Sequence, residues 1–168
     1  DARLTDIGTD EIPFKMSEVP TLAGANHVIC TLFYKGKTFY IDATCNHIPY
    51  TYTPQYIQGS EAMIENGDKP LMQIVPQQKA DSSIDSLSYA YHLQGDALVG
   101  KANYLLRGDM KEWFMSLIDD AGNKNSEEIL ANNLNADTHN MTVNNVKWID
   151  KDARNMWANF VGDIVNQP

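Results

Sequence analysis

The chain has 168 residues, 43% hydrophobic and 21% charged, with a formal net charge of −9, ordinary proportions that leave room for one domain or two small ones. The acidic balance and the lack of any Lys/Arg cluster argue against a nucleic-acid partner held through its phosphates. No apolar run approaches the roughly 20 residues that span a bilayer, and two cysteines, Cys30 and Cys45, are too few for a disulfide scaffold and lack zinc-like pairing.

Ala2 to Gly8 alternates as a short strand does, and Thr9 to Ala25, with Pro13 and Pro20, reads as a long loop. Asn26–Tyr34 and Lys37–Thr44 are rich in β-branched and aromatic residues and flank Lys35-Gly36, a two-residue hairpin turn. A turn placed there pairs residues whose numbers sum to 71 and puts His27 and Asp42 on one sheet face as diagonal neighbours, roughly 7–8 Å apart at Cα. Cys30 then points to the opposite face. Cys45 also does if the strand continues past Asp42, roughly 13 Å along the sheet from Cys30, too far for a disulfide.

Ile48–Gln58 is irregular, and its tyrosines Tyr50, Tyr52 and Tyr56 either line a groove or pack the loop. Ser60–Ile64 and Leu71–Val75 are short strands around Asn66-Gly67-Asp68. The chain turns polar from Pro76 to Ser86, which reads as a linker between a first unit, residues 1–76, and a β-rich second unit, residues 87–168.

The second unit opens with a hairpin that checks itself. A turn at Gly95-Asp96 pairs Leu93 with Leu98, Tyr91 with Gly100, Tyr89 with Ala102 and Leu87 with Tyr104, laying large side chains over small ones on one face. Asp109 is placed to cap a helix whose stripe Met110, Trp113, Phe114 and Leu117 is expected in the core. Asn125 and Glu128 resemble a capping box before a second helix that runs to Leu134. Met141–Ile149 and Asn155–Val165 read as strands. The expected fold class is therefore α+β, with antiparallel sheets and two short helices.

One constellation carries chemistry. Asn26-His27-Val28-Ile29 followed by Tyr40-Ile41-Asp42-Ala43-Thr44 resembles the His and Asp strands of the transglutaminase-like superfamily, cysteine enzymes of papain-like fold. Asp1-Ala2-Arg3-Leu4 is similar to the strand that follows that family's cysteine-bearing helix, and Pro54-Gln55-Tyr56-Ile57-Gln58-Gly59 to the end of the domain. Residues 84–168 resemble a β-rich domain of unknown function that follows it in large exported bacterial proteins. The resemblance implies that residues 1–76 are the back part of such a domain, with the nucleophilic cysteine upstream of Asp1 and the chain alone inactive. It implies His27 as the base, Asp42 as its orienter, a peptide or amide substrate, hydrolysis ahead of crosslinking, no cofactor, and an exported parent protein. The chemistry suits the residue types. A thiol must become a thiolate to attack a carboxamide, an imidazole accepts its proton, and a carboxylate fixes the ring's tautomer.

Other readings compete. His27 beside Asp42 also fits a structural hydrogen bond, and a non-catalytic binding or scaffold module could retain the same sheet. His47 could join His27 and Asp42 in a metal site, although no metal is expected. His92 reads as exposed and His139 carries no signal. One face of the first hairpin carries Val28, Cys30, Leu32, Ile41 and Ala43, and the other Ile29 and Phe33 beside His27. Both are apolar enough to predict self-association, or association with the upstream segment.

Overall fold

The computed structural model describes residues 1–18, 24–122, 125–135 and 140–167. Pro20 of the long loop and His139 lie outside the described residues. The chain divides into two compact units, Asp1–Ser82 and Ser83–Pro168, each an antiparallel sheet of its own. With two α-helices among the described residues, both in the second unit, the protein is α+β.

The first unit is a five-stranded sheet: β1 (Ala2–Ile7), β2 (His27–Tyr34), β3 (Lys37–Ile41), β4 (Glu61–Ile64) and β5 (Leu71–Ile74), in the order β3-β2-β1-β4-β5. The hairpin between β2 and β3 follows from its turn. Lys35 and Gly36 both take positive φ, 49° and 74°, the mirror-image turn that matches strand twist. Its ladder runs from Tyr34↔Lys37 to Cys30↔Ile41, the register read from the sequence. The strand ends at Ile41, three residues before the predicted end.

Alternation then sorts the side chains. Ile7, Ile29, Tyr40, Ala62 and Ile64 face one way and form a core with Ile57 and Val75, while Thr5 and Thr31 satisfy each other within it through hydroxyls 2.6 Å apart. The His27 face, apolar enough to call for a partner, is therefore covered from within the unit. The opposite face is open: Leu4 is 69% exposed, Val28 56% and Ile74 65%. Cys30, Leu32, Phe39 and Ile41 are half-buried beside them. An apolar sheet face of this kind normally finds a partner. Residues 1–168 are expected to self-associate, and Val28→Lys to weaken that association without unfolding the sheet. Light scattering that shows a stable monomer at high protein concentration would contradict this.

The second unit has β6 (Ile84–Gln94), β7 (Ala97–Arg107), β8 (Met141–Asp150) and β9 (Trp157–Asn166) in the order β6-β7-β9-β8. The hairpin of β6 and β7 has the register read from the sequence: Leu93↔Leu98, Tyr91↔Gly100, Tyr89↔Ala102, Leu87↔Tyr104. The ladder continues to Ile84↔Arg107, so Ile84–Ser86 belong to this strand and not to a linker. Their polar members, Asp85 and Ser86, are exposed and imitate linker composition.

Helices α1 (Asp109–Ala121) and α2 (Ser126–Asn135) cover one face of the sheet, where Phe114, Leu130 and Leu134 meet Tyr104, Leu106, Phe160 and Ile164. Tyr104 and Phe114 both stack on Phe160, at 5.0 and 5.4 Å. Gly108, at φ 60°, takes the position before the helix, so Asp109 is its first residue and not its cap. The buried stripe of α1 also differs from the expectation. Trp113 is 61% exposed and Leu117 is exposed, while Lys111, Phe114 and Met115 are buried. The two stripes lie one residue apart on the same helical period. The inward one contains a lysine whose ammonium is satisfied by backbone carbonyls, Asp152 O at 2.7 Å and Asn155 O at 2.8 Å.

Candidate functional site

His27 opens β2, where it pairs with Ile7 of β1, and Asp42 immediately follows β3. The hairpin register brings the two together. His27 Nε2–H donates to Asp42 Oδ2 at 2.6 Å. The histidine side chain is 22% exposed and the carboxylate 1%, so the ring faces outward with its charge partner beneath it. With Nε2 committed to Asp42, Nδ1 is the ring nitrogen left to exchange a proton with a reacting group. His27 borders an open hollow of about 560 Å³, together with Asp6, Ala25, Asn26 and Val28.

Asp42 is held by more than histidine. Thr44 N–H donates to Oδ1 at 2.9 Å and Thr44 Oγ1–H to the same oxygen at 2.7 Å. This is an Asx-turn, in which a carboxylate bonds backbone two residues on. The Tyr56 hydroxyl donates to Oδ2 at 2.5 Å. Burial alone would raise the Asp42 carboxyl, but the hydrogen bonds from Tyr56, Thr44 and His27 outweigh it and hold its pKa below the ordinary value. The Tyr56 hydroxyl moves the other way: burial, and then its bond to the Asp42 carboxylate, raise it well above the usual phenol range.

The Asx-turn corrects one expectation. A strand that continued past Asp42 would put Cys45 on the face opposite His27. Because the backbone turns at Asp42, with Cys45 N–H donating to Asp42 O, alternation stops and Cys45 Sγ lies 3.4 Å from Tyr56 Oη, on the side of the cluster. Cys45 and Asp42 also border a hollow of about 200 Å³ with Ile48, Tyr50 and Tyr52. Cys30 stays on the opposite face, paired across the ladder with Ile41, and neither cysteine is in a disulfide.

The three tyrosines of the irregular segment part company. Tyr52 is buried, Tyr50 is exposed, and Tyr56 joins the cluster. Tyr56 sits in a short 3-10 turn, Gln55–Ile57, whose Ile57 is wholly buried. Its carbonyl accepts Asp10 N–H at 2.8 Å, and its ring stands edge-on to His27 with centroids 6.0 Å apart. Nothing periodic in the sequence marks Tyr56, because it comes from a loop. The Asp42-Ala43-Thr44 spacing, by contrast, is a readable Asx-turn signature.

Among the described residues, no group of three His, Cys, Asp or Glu side chains is placed to hold a metal, so His47 does not complete such a set with His27 and Asp42. His92 is exposed. Among the described residues, no helix is long and apolar enough to cross a membrane. Compared with known proteins, the chain matches no family model, no curated protein and no solved structure.

Proposed function

We propose that His27 and Asp42 are the base and its orienting carboxylate in a transglutaminase-like cysteine enzyme that acts on an amide or peptide bond. The observation that carries this reading is the 2.6 Å bond between His27 Nε2 and a carboxylate that is almost wholly buried, which leaves Nδ1 on an accessible ring. A carboxylate so placed holds the imidazole in one tautomer and orientation, which is what a thiol–imidazole catalyst requires. In this reading the nucleophilic thiol comes from outside residues 1–168. Nδ1 takes its proton, the thiolate attacks the carboxamide carbon, and the imidazolium returns the proton to the leaving amine. Water or a second amine then releases the acyl group, water being the favoured acceptor.

The test uses the full-length gene product with a glutaminyl peptide as substrate and hydroxylamine as competing nucleophile. Carboxylate product marks hydrolysis and hydroxamate marks transfer. His27→Ala is expected to lower kcat/KM by at least about 10²-fold, the usual contribution of a general base. Asp42→Asn, if the fold survives, lowers it less. Turnover that tolerates His27→Ala would overturn the assignment of His27 as base, and an unaltered protein without turnover would favour a binding or scaffold module.

A further inference from the structure

An ionised carboxylate offers about four acceptor sites, two on each oxygen. Asp42 has four donors: Thr44 N–H and Oγ1–H on Oδ1, and Tyr56 Oη–H and His27 Nε2–H on Oδ2. The Thr44 pair anchors one oxygen to the chain's own turn. The other oxygen, which meets the histidine, is shared with a tyrosine from a different part of the unit. That tyrosine is itself fixed, by Ile57 in the core, by Asp10 N–H on its carbonyl and by its edge-on ring contact with His27.

We propose that Tyr56 is a positioning residue for the His27–Asp42 pair: its hydroxyl occupies one acceptor direction of Asp42 Oδ2 and leaves the other aimed at His27 Nε2. The inference rests on the reading of His27 as a base, but its test involves no turnover, so the two can fail separately. Without the hydroxyl, Oδ2 presents two open directions, and the imidazole can settle on either or lose its bond to water. The direction of proton donation is settled by chemistry. A carboxylate only accepts, so Tyr56 must donate to it, and the phenol oxygen is then left to accept from Cys45, whose sulfur lies 3.4 Å away. Donors in series strengthen one another. The polar side chains at the ring are Asp42, bonded to its Nε2, and Tyr56, whose ring stands edge-on to it.

The experiment is nuclear magnetic resonance on the 168-residue chain. Carboxyl-carbon shifts follow the titration of Asp42, and ring nitrogen-15 shifts report the tautomer of His27 in its neutral form. Tyr56→Phe keeps the ring against His27 and removes only the hydroxyl. It is expected to raise the Asp42 midpoint by about one pH unit and to lower the share of the Nε2–H tautomer. Thr44→Val, which removes a donor from Oδ1 and a longer, 3.4 Å contact with Tyr56 Oη but no donor from Oδ2, is expected to raise the midpoint and leave the tautomer in place. An unchanged midpoint and tautomer in Tyr56→Phe would overturn the proposal, as would an equal tautomer change in Thr44→Val. Should Tyr56→Phe fail to fold, the unaltered protein supplies the answer. A Tyr56 hydroxyl proton protected from exchange and close to the His27 ring supports the proposal, and an unprotected one refutes it.

Discussion

Asp42→Ala is expected to destabilise the first unit by about 3–5 kcal/mol, the cost of removing one partner from a buried charged network. The carboxylate is 1% exposed and takes all four of its bonds from Tyr56, Thr44 and His27. Truncation leaves those donors without their acceptor and opens a void beneath the histidine. It also releases the Asx-turn that ends β3 and turns the chain toward Cys45. The same carboxylate gives the unit an acid limit. Its folded pKa lies below the unfolded value, so its stabilisation is complete above the unfolded pKa, about 4 for Asp, and is lost as pH falls through the folded one. Asp42→Asn should remove that part of the acid dependence. Urea unfolding followed at the amides of β1 and β2 measures both effects. An Asp42→Ala midpoint equal to that of the parent chain would show that the network is not holding the turn.

Lys111→Met is expected to cost the second unit about 1–3 kcal/mol: hydrogen bonds to a charged group contribute roughly 1.5–3 kcal/mol, and the part-buried carbonyls it serves can turn to water instead. The lysine is fully buried on α1, and its ammonium reaches two carbonyls of the segment between β8 and β9, those of Asp152 and Asn155. Burial pushes its pKa down, while Asp150, Asp152 and Glu112 resist that shift. Methionine keeps the apolar stem and most of the volume, so the loss measures the ammonium and not a cavity. All three tryptophans, Trp113, Trp148 and Trp157, lie in this unit, and their fluorescence follows its unfolding in urea. An unchanged transition would mean that α1 holds the β8–β9 segment by apolar packing alone.

Lys111 also shows where the sequence was misleading. Met110, Trp113, Phe114 and Leu117 have the spacing of a buried helical face, and so do Lys111, Phe114, Met115 and Ile118, rotated by one residue. Hydrophobicity favoured the first set because a lysine interrupts the second. Only the carbonyls of a distant loop make that lysine an inward-facing residue. The two hairpins were legible for the opposite reason. Lys35-Gly36 and Gly95-Asp96 set the register locally, and the alternation on both sides agreed with them. The His27–Asp42 contact came with that register. What surrounds it did not: alternation stops at the Asp42 turn and so does not place Cys45, and Tyr56 arrives from an irregular segment whose path depends on burying Ile57. The open sheet face was half legible. The apolar character of both faces could be read from the strands, but the side that the unit covers with Ile57 and Val75 could not.

The most direct measurement of the catalytic reading is the rate at which iodoacetamide alkylates thiols in the full-length gene product, as a function of pH. A thiol paired with an imidazole is a thiolate well below the ordinary cysteine pKa of about 8.5. One thiol outside residues 1–168 is expected to react rapidly in mildly acidic buffer. His27→Ala is expected to return that thiol to ordinary reactivity, and Tyr56→Phe to do so only in part. A full-length product without such a thiol, or one whose fast thiol is indifferent to His27→Ala, would contradict the assignment of His27 and Asp42 as a catalytic pair.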